Sequence, residues 1–180
     1  ASASERRQEL LNRIIDNFDI IISDFDEEKV KFNGNVEEYV IEVAEGKALD
    51  VLSRISEDSI IIAADTIVVN GDKILGKPKS KAEAIETLKS LSNRRHQVKT
   101  GVCILYKNQT ILHVETTDVY FKKLTEQDII SYVNSGKCMD KAGSYGIQEC
   151  DFVDHIEGDY TNVVGLPKHV VETMMKDVAL

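Results

Sequence analysis

The run from Ile60 to Val69, Ile-Ile-Ile-Ala-Ala-Asp-Thr-Ile-Val-Val, constrains this chain most. β-Branched residues at both ends and the lack of polar alternation describe a strand covered on both faces. Asp65 interrupts that pattern. Taking an ionised carboxylate out of water costs several kcal/mol, on the order of the net stability of a small domain, unless a cation or hydrogen-bond donors compensate. Two readings are open at this point: a positive group sits beside Asp65, or its carboxylate caps local backbone at a strand end.

The rest of the chain can build the interior that such a strand needs. Of 180 residues, 42% are hydrophobic and 29% charged, the balance of an ordinary globule, and 10 Gly with 2 Pro leave no room for long disordered tracts. The length suits a single domain over residues 1–180, or two lobes sharing one core. Lys plus Arg number 22 against 31 Asp plus Glu, a net charge of −9, which argues against a protein that coats a polyanion. No apolar run reaches the roughly 18 residues that span a bilayer, and no basic-then-apolar leader is visible, so the cytoplasm is the expected location. Cys103, Cys138 and Cys150, without CxxC spacing, suit a reducing compartment.

Ser2 to Ile15 reads as a helix, with Ser2 and Glu5 at capping-box spacing and Leu10, Leu11, Ile14 and Ile15 as its apolar stripe. A helix that begins so abruptly predicts a short strand ahead of it. Ile20 to Ser23 reads as another short strand, leading into the acidic stretch Asp24-Phe25-Asp26-Glu27-Glu28. From Val36 to Ile55, Val40, Ala44, Ala48, Val51, Leu52 and Ile55 recur at helical spacing. Lys47 falls beside that stripe, where its ammonium either snorkels to solvent or stays with the buried face.

Asn70-Gly71 supplies a two-residue turn that would pair Thr66–Val69 with Asp72–Leu75. Gly71 to Lys77 also matches a Walker A phosphate loop, but Pro78 stands where the magnesium-binding Ser or Thr is required, and the hairpin context is wrong. Pro78 instead biases Lys77 towards an extended backbone. A helix from Ser80 to Leu91, strands His96–Tyr106 and Thr110–Phe121 joined across Lys107-Asn108, and a helix from Thr125 to Asn134 follow. Asp140 to Gln148 is a loop with two glycines, Lys141 and Gln148; a strand near Phe152–Ile156 and a helix from Pro167 to Val178 close the chain.

The histidines lack HxxxH or HxH spacing and there is no GxSxG elbow. Carboxylates, lysines and arginines in short polar motifs remain. That set suits phosphoryl-group chemistry with a hard divalent cation.

Ser2-Ala3-Ser4-Glu5-Arg6-Arg7-Gln8-Glu9-Leu10-Leu11 resembles the S-x-S-P-R-R-x-x-L-L opening of the Maf family of nucleotide pyrophosphatases. Tyr39-Val40 through Lys47-Ala48, Ala63-Ala64-Asp65-Thr66, Leu75-Gly76-Lys77-Pro78, Thr100-Gly101-Val102, Tyr132 to Gly136, Asp140 to Gln148 and Gly158 to Pro167 follow in the family's order. The resemblance implies an α/β fold with an elongated mixed β-sheet, flanking helices and two lobes around a central cleft, similar to inosine triphosphate pyrophosphatases. It implies hydrolysis of a nucleoside triphosphate to the monophosphate and pyrophosphate with Mg²⁺ or Mn²⁺. Asp65 would be the catalytic base and a metal neighbour, and Glu27 a metal-side carboxylate. Ser2, Arg6, Arg7, Lys47 and Lys77 would hold phosphates, with Lys141 among the cleft's cations, and Arg6, Thr66 and Gln148 would bear on substrate choice.

The loop from Asp140 to Gln148 resembles the branch that acts on dTTP and UTP, with 5-methyl-UTP and pseudo-UTP as further candidates; the Gln148 amide suits that class, since it offers both a donor and an acceptor to the edge of thymine or uracil. Two departures stand out: Glu5 replaces the usual Pro, and Gln148-Glu149-Cys150-Asp151-Phe152 replaces a longer, glycine-containing stretch. Homodimers are common in the family, and its history suggests a cell-division (septum) role. A non-catalytic nucleotide- or nucleic-acid-binding regulator, and a purine-type inosine or xanthosine triphosphate pyrophosphatase, are the alternative readings.

Overall fold

The structure, a computed structural model, describes residues 1–56 and 58–178. Helices α1 (Glu5–Asn12) and α2 (Val36–Leu52) precede strand β1 (Ile61–Asn70) and its short partner β2 (Lys73–Leu75). Helix α3 (Lys81–Leu91), the long strands β3 (Arg95–Tyr106) and β4 (Gln109–Phe121), and α4 (Glu126–Asn134) come next. Strand β5 (Val153–Glu157), the short α5 (Tyr160–Val164) and α6 (Lys168–Val178) complete the order. The fold is α/β: an open five-stranded sheet, in the order β2-β1-β3-β4-β5, flanked by helices. β1/β2 and β4/β5 pair antiparallel, and the two-residue link between β3 and β4 permits only an antiparallel hairpin.

The chain divides into two compact units, Ala1–Thr66 with Thr100–Glu115 and Gly165–Leu180, and Ile67–Lys99 with Thr116–Val164. In the first, α2 lays Ala44, Ala48 and Val51 against Ile61 and Ala63 of β1 and Cys103 and Leu105 of β3. Gly101 permits this close approach, since a Cβ there would stand 2.8 Å from the Val40 carbonyl oxygen. In the second, Leu88 and Leu91 of α3, Ile129 and Val133 of α4, and Val119 and Phe121 of β4 form one buried cluster.

Several local expectations shift. The cap of α1 is Ser4, whose side chain accepts from the Arg7 N–H, so the helix starts at Glu5 and the predicted Ser2 cap gives way. Ile20 to Ser23 joins no strand: Asp50 of α2 and Arg54, just past its end, take up the polar groups of this stretch, and Ile20 and Ile22 remain exposed. The β1/β2 turn lies one residue later than expected, at Gly71-Asp72, with Val68 opposite Leu75 and Asn70 opposite Lys73. Gly71, at φ +66°, takes the first central position of that loop, where a residue with a Cβ would be strained.

Candidate functional site

In the first unit, β1 and α2 bring three of the sequence-predicted residues onto one charge. Lys47 Nζ lies 3.0 Å from Asp65 Oδ1 and 3.0 Å from Glu27 Oε1, and also reaches the Ala64 carbonyl at 3.5 Å. The Lys47 and Asp65 side chains are only 15% and 14% exposed, while Glu27 is 53% exposed, so the pair at the core of the group is largely withdrawn from water. The apolar strand thus carries its carboxylate because a helix delivers a lysine to it. Of the two readings of Asp65, the neighbouring cation is the one observed.

The next residue of β1 organises a second group. Arg7 donates from Nη2 to Thr66 Oγ1 at 2.8 Å, from Nε to the Gly165 carbonyl at 2.7 Å and from Nη1 to Ser2 Oγ at 3.4 Å. Thr66 Oγ1 also lies 2.9 Å from Thr100 Oγ1 on β3. Burial opposes the Arg7 charge, Asp65 and Glu27 support it, and Arg6 opposes it. Arg6 is partly buried on α1.

Tyr39, Thr100 and Gly165 belong to this region although residue chemistry alone did not single them out. Burial, then Asp65 and Glu27, push the Tyr39 phenol up, placing its ring in the field of both carboxylates. The signal was positional: Tyr39, Val43 and Lys47 succeed one another at four-residue spacing on α2.

In the second unit, Lys77 is exposed after β2 and Gln148 is exposed in the loop that follows α4. Lys141 is different. It is 6% exposed, and its ammonium lies 2.7 Å from Glu149 Oε2 and 3.2 Å from Asp140 Oδ1 while donating to the Lys137 carbonyl. The Gly146 N–H donates to Tyr132 Oη at 3.0 Å, and the Gly143 N–H to the Gly76 carbonyl at 3.2 Å, which ties the loop bearing Gln148 to the turn bearing Lys77. Gly143, at φ +71°, leaves no room for a Cβ beside Val68.

Among the described residues no group of three or more His, Cys, Asp or Glu side chains is placed to hold a metal ion. Asp65 and Glu27 nevertheless converge on one positive charge. A pair of carboxylates of this kind suits Mg²⁺ or Mn²⁺ when substrate phosphates supply the remaining oxygens.

The family profile described as Maf-like protein matches residues 1–178. The chain belongs to the Maf family. Among its Maf relatives is the dTTP/UTP pyrophosphatase of Clostridium botulinum (strain Eklund 17B / Type B), 50% identical over 98% of this chain and 96% of the relative. The protein of the same name from Clostridium beijerinckii is 46% identical over 99% of this chain and 97% of its own length. That of Clostridium novyi (strain NT) is 48% identical over 100% and 96%. These Maf relatives are matched along nearly their whole length.

Proposed function

We propose that this Maf protein hydrolyses dTTP and UTP, and related modified pyrimidine triphosphates, to the nucleoside monophosphate and pyrophosphate. The Lys47–Asp65 ion pair beside the Arg7–Thr66 hydrogen bond is the observation that carries the reading, because it sets a fixed carboxylate next to fixed cations. The relatives' shared name supports the substrate class.

In this account Asp65 holds the attacking water and accepts its proton while the water oxygen bonds to phosphorus. The anhydride link between the α and β phosphates breaks, and the electron pair leaves with pyrophosphate. Arg7 and Lys47, with Arg6, Ser2 and Lys77, bind the triphosphate oxygens and stabilise the charge that spreads over them. Thr66 fixes the Arg7 fork. Asp65 and Glu27 are the residues that would hold a divalent cation, whose chemistry when bound is to neutralise phosphate charge. Gln148 reads the pyrimidine edge by donating and accepting.

Among the described residues no helix is long and apolar enough to cross a membrane. A cytoplasmic location, expected from the chain's cysteine usage and apolar patterning, belongs to this proposal, as do a homodimer and a role at the division septum, which rest on the family resemblance. The test is pyrophosphate release from dTTP, UTP, inosine triphosphate and 7-methyl-GTP with Mg²⁺ or Mn²⁺. Preference for the pyrimidines is expected. Nucleotide binding without turnover would favour a regulator instead.

A further inference from the structure

The segment that carries Glu27 has no regular structure until its 3₁₀ turn at Glu27–Lys29, yet it is tied to α2 residue by residue. Asp50 Oδ2 accepts from the Asp24 N–H at 2.8 Å and from Ser23 Oγ at 3.2 Å. Arg54 Nη2 donates to the same carboxylate at 2.7 Å and to the Ile22 carbonyl at 2.9 Å. Phe25 lies between these ties and Glu27. Its ring rests on Gly46 of α2, where a Cβ would collide with Cζ and stand 2.5 Å from Cε1. Glycine is a poorer helix former than alanine, so helix propensity does not account for Gly46, whereas room for the ring does.

Gly46 immediately precedes Lys47, and Glu27 follows Phe25 by two residues. The contact of ring on helix and the 3.0 Å bridge from Glu27 to Lys47 therefore close one small circuit of chain. Glu27 is 53% exposed. We propose that Phe25 and Gly46 are positioning residues: the ring seated on the glycine sets where the Glu27 carboxylate meets Lys47 and Asp65. The purpose of that carboxylate, holding a divalent cation beside the triphosphate, rests on the function proposed above; the seat itself does not.

The test compares the full chain with Gly46→Ala, Phe25→Leu, the double variant and Glu27→Gln. Two readouts are taken: hydrogen–deuterium exchange of residues 24–30, and the Mn²⁺ dependence of pyrophosphate release from dTTP. In Gly46→Ala the exchange of that segment quickens, and the Mn²⁺ concentration for half-maximal release rises by about 10-fold, approaching Glu27→Gln, as for other residues that orient metal-side carboxylates. The thermal midpoint stays level or rises, because alanine favours the helix. Phe25→Leu moves both readouts in the same direction, and the double variant recovers part of what Gly46→Ala loses. Wild-type exchange and wild-type Mn²⁺ dependence in Gly46→Ala would overturn the proposal. If the wild type releases no pyrophosphate, the functional reading fails, and exchange alone decides the seat: quickened supports it, unchanged overturns it.

Discussion

Lys47 on α2 and Asp65 on β1 meet at 3.0 Å, and the same ammonium holds Glu27 at 3.0 Å. A carboxylate in an apolar strand and a lysine beside an apolar helix stripe are each costly alone. Each compensates the other where α2 crosses β1.

Removing one partner leaves the other charged and poorly hydrated. Lys47→Met is expected to lose about 2 kcal/mol of stability, between the cost of an unsatisfied buried polar group and that of a broken buried ion pair. Adding Asp65→Asn to it should recover much of that stability and none of the activity. Urea titration and a pyrophosphate assay on the single and double variants separate the two effects. Full recovery of activity in the double variant would show that the pair is only structural.

Arg7 uses a planar fork to reach the Gly165 carbonyl, Thr66 and Ser2. Lysine keeps the charge and loses the fork. Arg7→Lys is therefore expected to raise KM for dTTP by about 10-fold, the worth of one lost charge-assisted hydrogen bond, with a smaller change in kcat. Steady-state kinetics checks this, and an unchanged KM would remove Arg7 from the binding group.

His96 is buried at 2% exposure in the second unit, with Nε2 2.6 Å from Tyr145 Oη and its ring edge-on to Phe121. Burial lowers its pKa from 6.5 to about 4. The folded state thus holds the neutral ring while the unfolded chain protonates below pH 6.5. Its contribution is whole above that value and lost as the pH falls from 6.5 to about 4, amounting to about 3 kcal/mol. Urea denaturation at pH 7, 5.5 and 4 should show this slope, and His96→Leu should lack that part of it.

Gly101 lets α2 approach β3, and a Cβ would meet the Val40 carbonyl at 2.8 Å. Gly101→Ala is expected to cost about 1–3 kcal/mol, because backbone must move to admit the methyl. A thermal midpoint equal to wild type would show that α2 has slack there.

The long strands, their two-residue link and the caps Ser80 and Thr125 were legible because each follows from local chemistry: alternation, β-branching, or a hydroxyl ahead of a first turn. Asp65 was legible as an anomaly, a charge in an apolar run. Its partners were less so, since α2 and β1 are brought together by packing that no spacing rule encodes. Ile20 to Ser23 misled because a short apolar run reads as a strand whether or not an edge is available to pair with it. Lys141 carried a motif's signature, but its spacing does not tell that Glu149, eight residues on, takes up its charge. Tyr39 and Gly165 bear on the site through a phenol's place on α2 and a carbonyl's direction, and neither is written in residue type.

Pyrophosphate release from dTTP and UTP, measured on the wild type and on Asp65→Asn at saturating Mg²⁺, decides whether Asp65 is the proton acceptor. A side chain of the same shape without the charge preserves the packing and removes the base. Wild-type turnover of both pyrimidine triphosphates is expected, with a loss of at least about 100-fold in kcat for Asp65→Asn. Full activity in Asp65→Asn would show that Asp65 does not take the proton.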